Sequence, residues 1–137
     1  MAIVLDSSIA MAIAMDDEQL PDADPFLERF SLERAVVPLL WEYEIANSLV
    51  SAFRRGRIPS TQCRPRFVFL KALPIDFDDK AINVASDRTF DLALEYGLSV
   101  YDSSYLELAI RRSLPLATLD KALARAARAE DVEVIGG

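Results

Sequence analysis

Short apolar runs alternate with longer stretches of helical periodicity along the chain, and that alternation constrains the fold more than any other feature. Ile3-Val4-Leu5, Ala35-Val36-Val37, Leu73 to Ile75, Leu116-Ala117 and Val132 to Ile135 read as short strands. Ile3-Val4-Leu5 in particular reads as a buried strand. Between them lie helical patterns: an apolar turn from Ile9 to Met15, a helix begun by Asp24-Pro25 and ending near Leu32, and a long helix opened by Pro38 and closed at Gly56. Further helices follow Pro59-Ser60 to about Lys71, Asp78-Asp79 to Tyr96-Gly97, Ser99 to Ser113, and Lys121 to Ala129. Strands separated by helices pair in parallel, because parallel neighbours need long crossovers. The expected architecture is an α/β sandwich with a short parallel sheet, in one domain over residues 1–137, with no repeat, low-complexity tract or linker dividing it.

A chain of 137 residues, 52% of them hydrophobic, can bury a real core. It contains no histidine, which removes His-based nucleophilic triads, His-ligated zinc and the usual near-neutral acid–base residue. The single Cys63 has no thiol partner. The segment from Met1 to Met15 is apolar but has no basic leader and is broken by Asp6, and no run approaches the roughly 20 apolar residues of a membrane span. A cytoplasmic protein with no membrane association is the expectation.

The net charge is −7, which taken alone argues against a nucleic-acid partner, because phosphates draw basic surfaces. Two features soften that objection. Carboxylates gathered around metal ions would mask negative charge and offer cationic metal to phosphates. The basic residues also cluster, as Arg54, Arg55, Arg57, Arg64 and Arg66, as Arg111 with Arg112, and as Lys121, Arg125 and Arg128. Singly, each cluster reads first as a solvated helix end.

Four acids stand at strand ends or helix starts. Asp6 directly follows the first strand, and Asp120 follows Leu116-Ala117 with Thr118 between them. Ligands of open parallel sheets bind beyond the carboxyl ends of the strands, so both acids suit one rim, although either also suits a helix cap. Glu44 lies near the start of the helix opened by Pro38, on a polar stripe with Asn47, Ser48 and Ser51. Trp41, Ile45, Leu49 and Phe53 mark the core side of that helix, and the stripe reads equally as its wet face. Asp102 follows Ser99 at capping-box spacing, which explains it structurally without further function. Four acids able to share one rim suit hard cations such as magnesium or manganese, and phosphodiester hydrolysis assisted by metal needs no histidine.

The blocks Val4-Leu5-Asp6-Ser7-Ser8, Glu44-Ile45-Ala46-Asn47, Tyr101-Asp102-Ser103-Ser104-Tyr105 and Ala117-Thr118-Leu119-Asp120-Lys121 stand in an order and spacing that resembles PIN-domain ribonucleases, specifically the VapC toxins of toxin–antitoxin pairs. No block is specific alone; four in register are. The resemblance implies a three-layer sandwich with a parallel sheet of about five strands. It implies metal-binding and catalytic acids at Asp6, Glu44, Asp102 and Asp120, with Ser8, Asn47 and Thr118 supporting the acids or facing substrate. Glu42 reads as a surface acid. The implied activity is Mg2+- or Mn2+-dependent endoribonuclease cleavage, and the implied partners are RNA, a VapB-type antitoxin and a second copy in a homodimer. Phe53, Phe67 and Phe69 offer an interface, with core packing as the plainer role for at least one. Ser103 stands where relatives usually carry alanine, and Lys121-Ala122 where some carry a further acid, so one metal is expected to be held firmly and a second only with RNA present. Metal binding should weaken as pH falls, since crowded carboxylates raise one another's pKa. The competing readings are a PIN nuclease outside a toxin pair, a receiver-like signalling domain, and a binding domain without activity.

Overall fold

The computed structural model describes residues 2–15, 33–79 and 82–136. Five strands, β1 (Ala2–Leu5), β2 (Arg34–Val37), β3 (Ile75–Phe77), β4 (Leu116–Ala117) and β5 (Val134–Ile135), are parallel throughout in the order β3-β2-β1-β4-β5. Among the described residues six helices accompany them: α1 (Ser7–Ala14), α2 (Trp41–Arg54), α3 (Ser60–Lys71), α4 (Ile82–Tyr96), α5 (Val100–Arg112) and α6 (Lys121–Ala129). The helix expected from Asp24-Pro25 to Leu32 lies outside the described residues.

The chain steps outward from β1 to β2 and β3, then returns past β1 to β4 and β5. Right-handed crossovers therefore put α1, α2 and α3 on one face and α4, α5 and α6 on the other. The packing of α2 with α1 and α3, and of α5 with α4 and α6, follows that division. The result is the α/β three-layer arrangement. Both faces of the central strands are covered, so Ile3, Val4, Leu5, Ala35, Leu116 and Ala117 are fully buried, which is why they read as unbroken apolar runs.

Three local expectations shift. The strand expected at Leu73 to Ile75 lies at Ile75–Phe77, because the ladder pairs Ala35 with Ile75 and Val37 with Phe77 while Pro74 contributes only its carbonyl, to the Ala35 N–H at 3.1 Å. Asp76 hides the strand in the sequence. It faces out on the sheet's edge and takes a two-pronged contact from Arg34 at 2.8 and 2.9 Å. The last strand starts at Val134, since the Val132 N–H still closes α6 on the Ala127 carbonyl at 2.8 Å. On α2 the fourth core residue is Ala52, whereas Phe53 is 44% exposed. One residue around the helix, about 100°, separates the two. Phe67 packs partly against the core and Phe69 is exposed. Glu42 points away from the sheet's rim and pairs with Lys71 at 2.9 Å. Among the described residues no helix is long and apolar enough to cross a membrane.

Candidate active site

The path of the chain reverses at β1, whose neighbours β2 and β4 send their helices to opposite faces. Such a reversal opens a crevice beyond the strands' carboxyl ends. Asp6 sits there, one residue past β1, with its N–H on the Ala117 carbonyl at 3.0 Å and only 3% of its surface exposed. It holds the N-cap position of α1 but its side chain makes no capping bond. Instead Asp6 Oδ2 accepts from Ser8 Oγ at 2.8 Å and from Thr118 Oγ1 at 2.7 Å, while Oδ1 accepts from Ser7 Oγ at 3.4 Å. The two hydroxyls also grip the loop after β4: Ser8 Oγ accepts from the Leu119 N–H at 2.9 Å, and Thr118 Oγ1 from the Asp120 N–H at 3.0 Å.

Asp120 caps α6, its Oδ1 accepting from the Leu123 N–H at 3.0 Å. Asp102 lies in the first turn of α5, where Ser99 Oγ accepts its N–H at 3.0 Å. The capping role weighed for Asp120 is therefore present, and at α5 the Ser99 half of the capping box is, made through the Asp102 N–H. The Asp120 cap does not consume the whole carboxylate, which has lone pairs for more than one partner. Glu44, in the first turn of α2, accepts at Oε1 from the Tyr105 hydroxyl of α5. This bond joins helices of opposite layers over the end of the sheet. Asn47 lies one turn beyond Glu44, exposed, and lines a separate cleft with Ser48, Ser51 and Arg55; no hydrogen bond brings it to the acids.

The acids feel one another. Burial pushes the Asp6 carboxyl up, against the opposing pull of the Thr118 and Ser8 hydroxyls, and the charge of Asp120 adds to the rise. Burial likewise raises Glu44, with the Tyr105 hydroxyl opposing and Asp6 and Asp102 adding repulsion. Asp102 is raised by burial, then by Asp6 and Asp120. Tyr105 is raised by burial and by the adjoining Glu44. Such mutual destabilisation of negative charge is relieved by a cation.

Among the described residues no three acids converge closely enough to cage a metal ion by themselves. A magnesium-type site takes one or two carboxylates and completes its shell with water and phosphate oxygens, so it does not require such a cage. The all-oxygen donor set fits it.

Tyr105 and Ser7 were not singled out as functional from the sequence. Tyr105 is three residues beyond Asp102, hence on the same helix face. Ser7 touches Asp6 and reaches both Glu44 and Tyr105. The receiver-like reading falls on topology. Receivers order their strands 2-1-3-4-5, whereas β2 here lies between β1 and β3.

Comparison with known families decides the relationship. The profile described as "PIN domain" matches residues 3–129. The chain belongs to the PIN-domain family. Among curated PIN relatives, Ribonuclease VapC3 of Pyrobaculum aerophilum is 31% identical over 132 residues, covering 90% of this chain and 93% of that protein. Two solved structures share the PIN fold. PAE2754 from Pyrobaculum aerophilum superposes with a TM-score of 0.72 at 20% identity, covering 98% of this chain and 89% of its own. VapBC2 from Rickettsia felis, bound to a DNA fragment from its promoter, gives 0.65 at 17% identity, covering 98% and 97%.

Proposed function

We propose that this PIN domain is a metal-dependent endoribonuclease, the VapC-type toxin of a toxin–antitoxin pair, acting as one domain over residues 1–137 in the cytoplasm. The observation that carries the reading is that four acids at strand ends and helix starts, Asp6, Glu44, Asp102 and Asp120, act on one another's charge. Three of them have their pKa raised partly by neighbouring members of the set. Magnesium or manganese, when bound, supplies the charge that polarises the scissile phosphate and eases deprotonation of the attacking water.

The chain's own residues fix the geometry. Ser8 and Thr118 hold Asp6 Oδ2, while Oδ1 has the longer contact with Ser7. Tyr105 holds one oxygen of Glu44, and the capping bond holds one oxygen of Asp120. Asp6, Glu44 and Asp120 are thus each oriented through one oxygen, so little reorganisation of these three accompanies binding of cation and phosphodiester. An unpaired carboxylate cluster also suits the basic side chain of a VapB-type antitoxin. A homodimer is part of the reading, with exposed Phe53 and Phe69 available to it.

The test is cleavage of total RNA by purified, antitoxin-free protein with magnesium, with manganese and with chelator, beside Asp6→Ala. Discrete metal-dependent fragments that vanish in the variant are expected. Folded, metal-loaded protein that leaves RNA whole would overturn the reading. Growth arrest on expression, relieved by the product of an adjoining small gene, separates the toxin from an RNA-processing nuclease.

A further inference from the structure

The polar face of α2 does not end at Glu44. Asn47, Ser48, Ser51 and Arg55 follow at helical spacing and therefore lie along one side. With Met11, Ala52 and Arg57 they line a cleft of about 260 Å³ between α2 and α1. These are the two helices that leave the crevice carrying Glu44 and, just before Ser7, Asp6. The cleft's far end is built by the close of α2. Gly56 adopts φ 76°, its N–H reaches the Phe53 carbonyl at 3.0 Å, and the Arg57 N–H turns back to the Ala52 carbonyl at 2.9 Å. This Schellman turn brings Arg57 beside Arg55.

Among the described residues the lining contains two arginines, an amide and two hydroxyls and no acid, in a chain of net charge −7. Phosphates and sugars are the usual partners of such groups. From Glu44 to Arg55 the helix rises about 16 Å at ~1.5 Å per residue, a length several nucleotides can follow.

We propose that the cleft between α1 and α2 is the track along which single-stranded RNA passes to or from the four acids. Arg55, with Arg57 beside it, takes a phosphate, and Asn47, Ser48 and Ser51 contact the intervening backbone. The proposal rests on the ribonuclease reading, and it answers how so acidic a chain holds a polyanion: attraction is local to a track that starts where the acids end.

The test is binding of a fluorescein-labelled single-stranded RNA to Asp6→Asn protein across a salt series, with magnesium present. Arg55→Ala should weaken binding alike for different sequences and flatten the log–log salt slope by about 0.7, one phosphate contact on a single strand. Arg55→Lys should retain the slope, and Arg112→Ala, on α5 outside the cleft, should leave it unchanged. An unaltered slope in both Arg55→Ala and the Ser51→Ala/Arg55→Ala double variant overturns the track. Should Arg55→Ala weaken antitoxin capture while RNA binding stays intact, the cleft belongs to the protein partner and the track is again overturned. Either result leaves the ribonuclease reading standing if wild-type protein cuts RNA in the cleavage assay. Failure of that assay removes both.

Discussion

Replacing Asp6 by asparagine should make the metal-free protein more stable near neutral pH, although it removes the proposed catalytic centre. Asp6 is 3% exposed, and burial outweighs the hydroxyl hydrogen bonds, so its folded-state pKa stands above the ordinary 3.8. The folded chain therefore prefers the neutral carboxyl. Its contribution to stability is full below the unfolded pKa and is lost as pH rises through the higher folded one. Asparagine keeps the shape, carries no charge and still offers Ser8 and Thr118 an oxygen. Each of those bonds weakens by about 1 kcal/mol, from the ~1.5–3 kcal/mol of a charged acceptor to ~0.5–1.5. The raised pKa says that burial and repulsion exceed this loss. A net gain of roughly 0.5–2 kcal/mol is expected, as is common when a function-bearing residue is relieved, or about 2–8 °C in Tm for a chain of this size. Urea unfolding in chelator from pH 8 down to pH 4 should show the variant ahead at high pH and the gap closing toward acid. Saturating magnesium should reverse the order, since binding at ~100 times Kd adds about 2.7 kcal/mol to wild type alone. A variant less stable than wild type at pH 7.5 in chelator, or a gap that widens toward acid, would refute the reasoning.

Tyr105→Phe removes the hydroxyl that opposes the rise of the Glu44 pKa; the acid limb of the cleavage profile should move to higher pH, and an unmoved limb would deny Tyr105 its positioning role. Asp120→Asn should keep the α6 cap, because asparagine caps as well as aspartate, whereas Asp120→Ala should cost about 1 kcal/mol of stability. Both should lose cleavage, so unfolding and activity measured together separate the two duties of this residue.

The centre of the parallel sheet was readable in the sequence because β1 and β4 and most of β2 are buried on both faces and so keep unbroken apolar runs. β3 was misplaced for the opposite reason: an edge strand with Asp76 facing solvent carries no such run. Glycine and proline marked the ends of α2 and α5 well, since Gly56 and Pro115 act through backbone geometry alone. The four acids could be placed near one rim from their positions after strands and in first turns. Tyr105 could not be assigned from the sequence, because its partner Glu44 is 61 positions away and a buried tyrosine on a helix looks like ordinary core. Asn47 illustrates the converse. Helical spacing put it on the face of Glu44, but a full turn farther from the rim it lines the cleft instead of touching the acids.

The bond from Thr118 to Asp6 spans 112 positions, and that separation bears on how the protein is made. A ribosome extruding this chain releases Asp6 and Glu44 long before β4, Thr118 and Asp120 emerge. Until they do, the central strand lacks one of its two neighbours and Asp6 lacks one of the hydroxyls that orient it. An enzyme that cuts RNA while still tethered to its own message would destroy the template of its synthesis. Drawing the site from segments 112 positions apart defers its completion until the Thr118–Asp120 stretch has been translated.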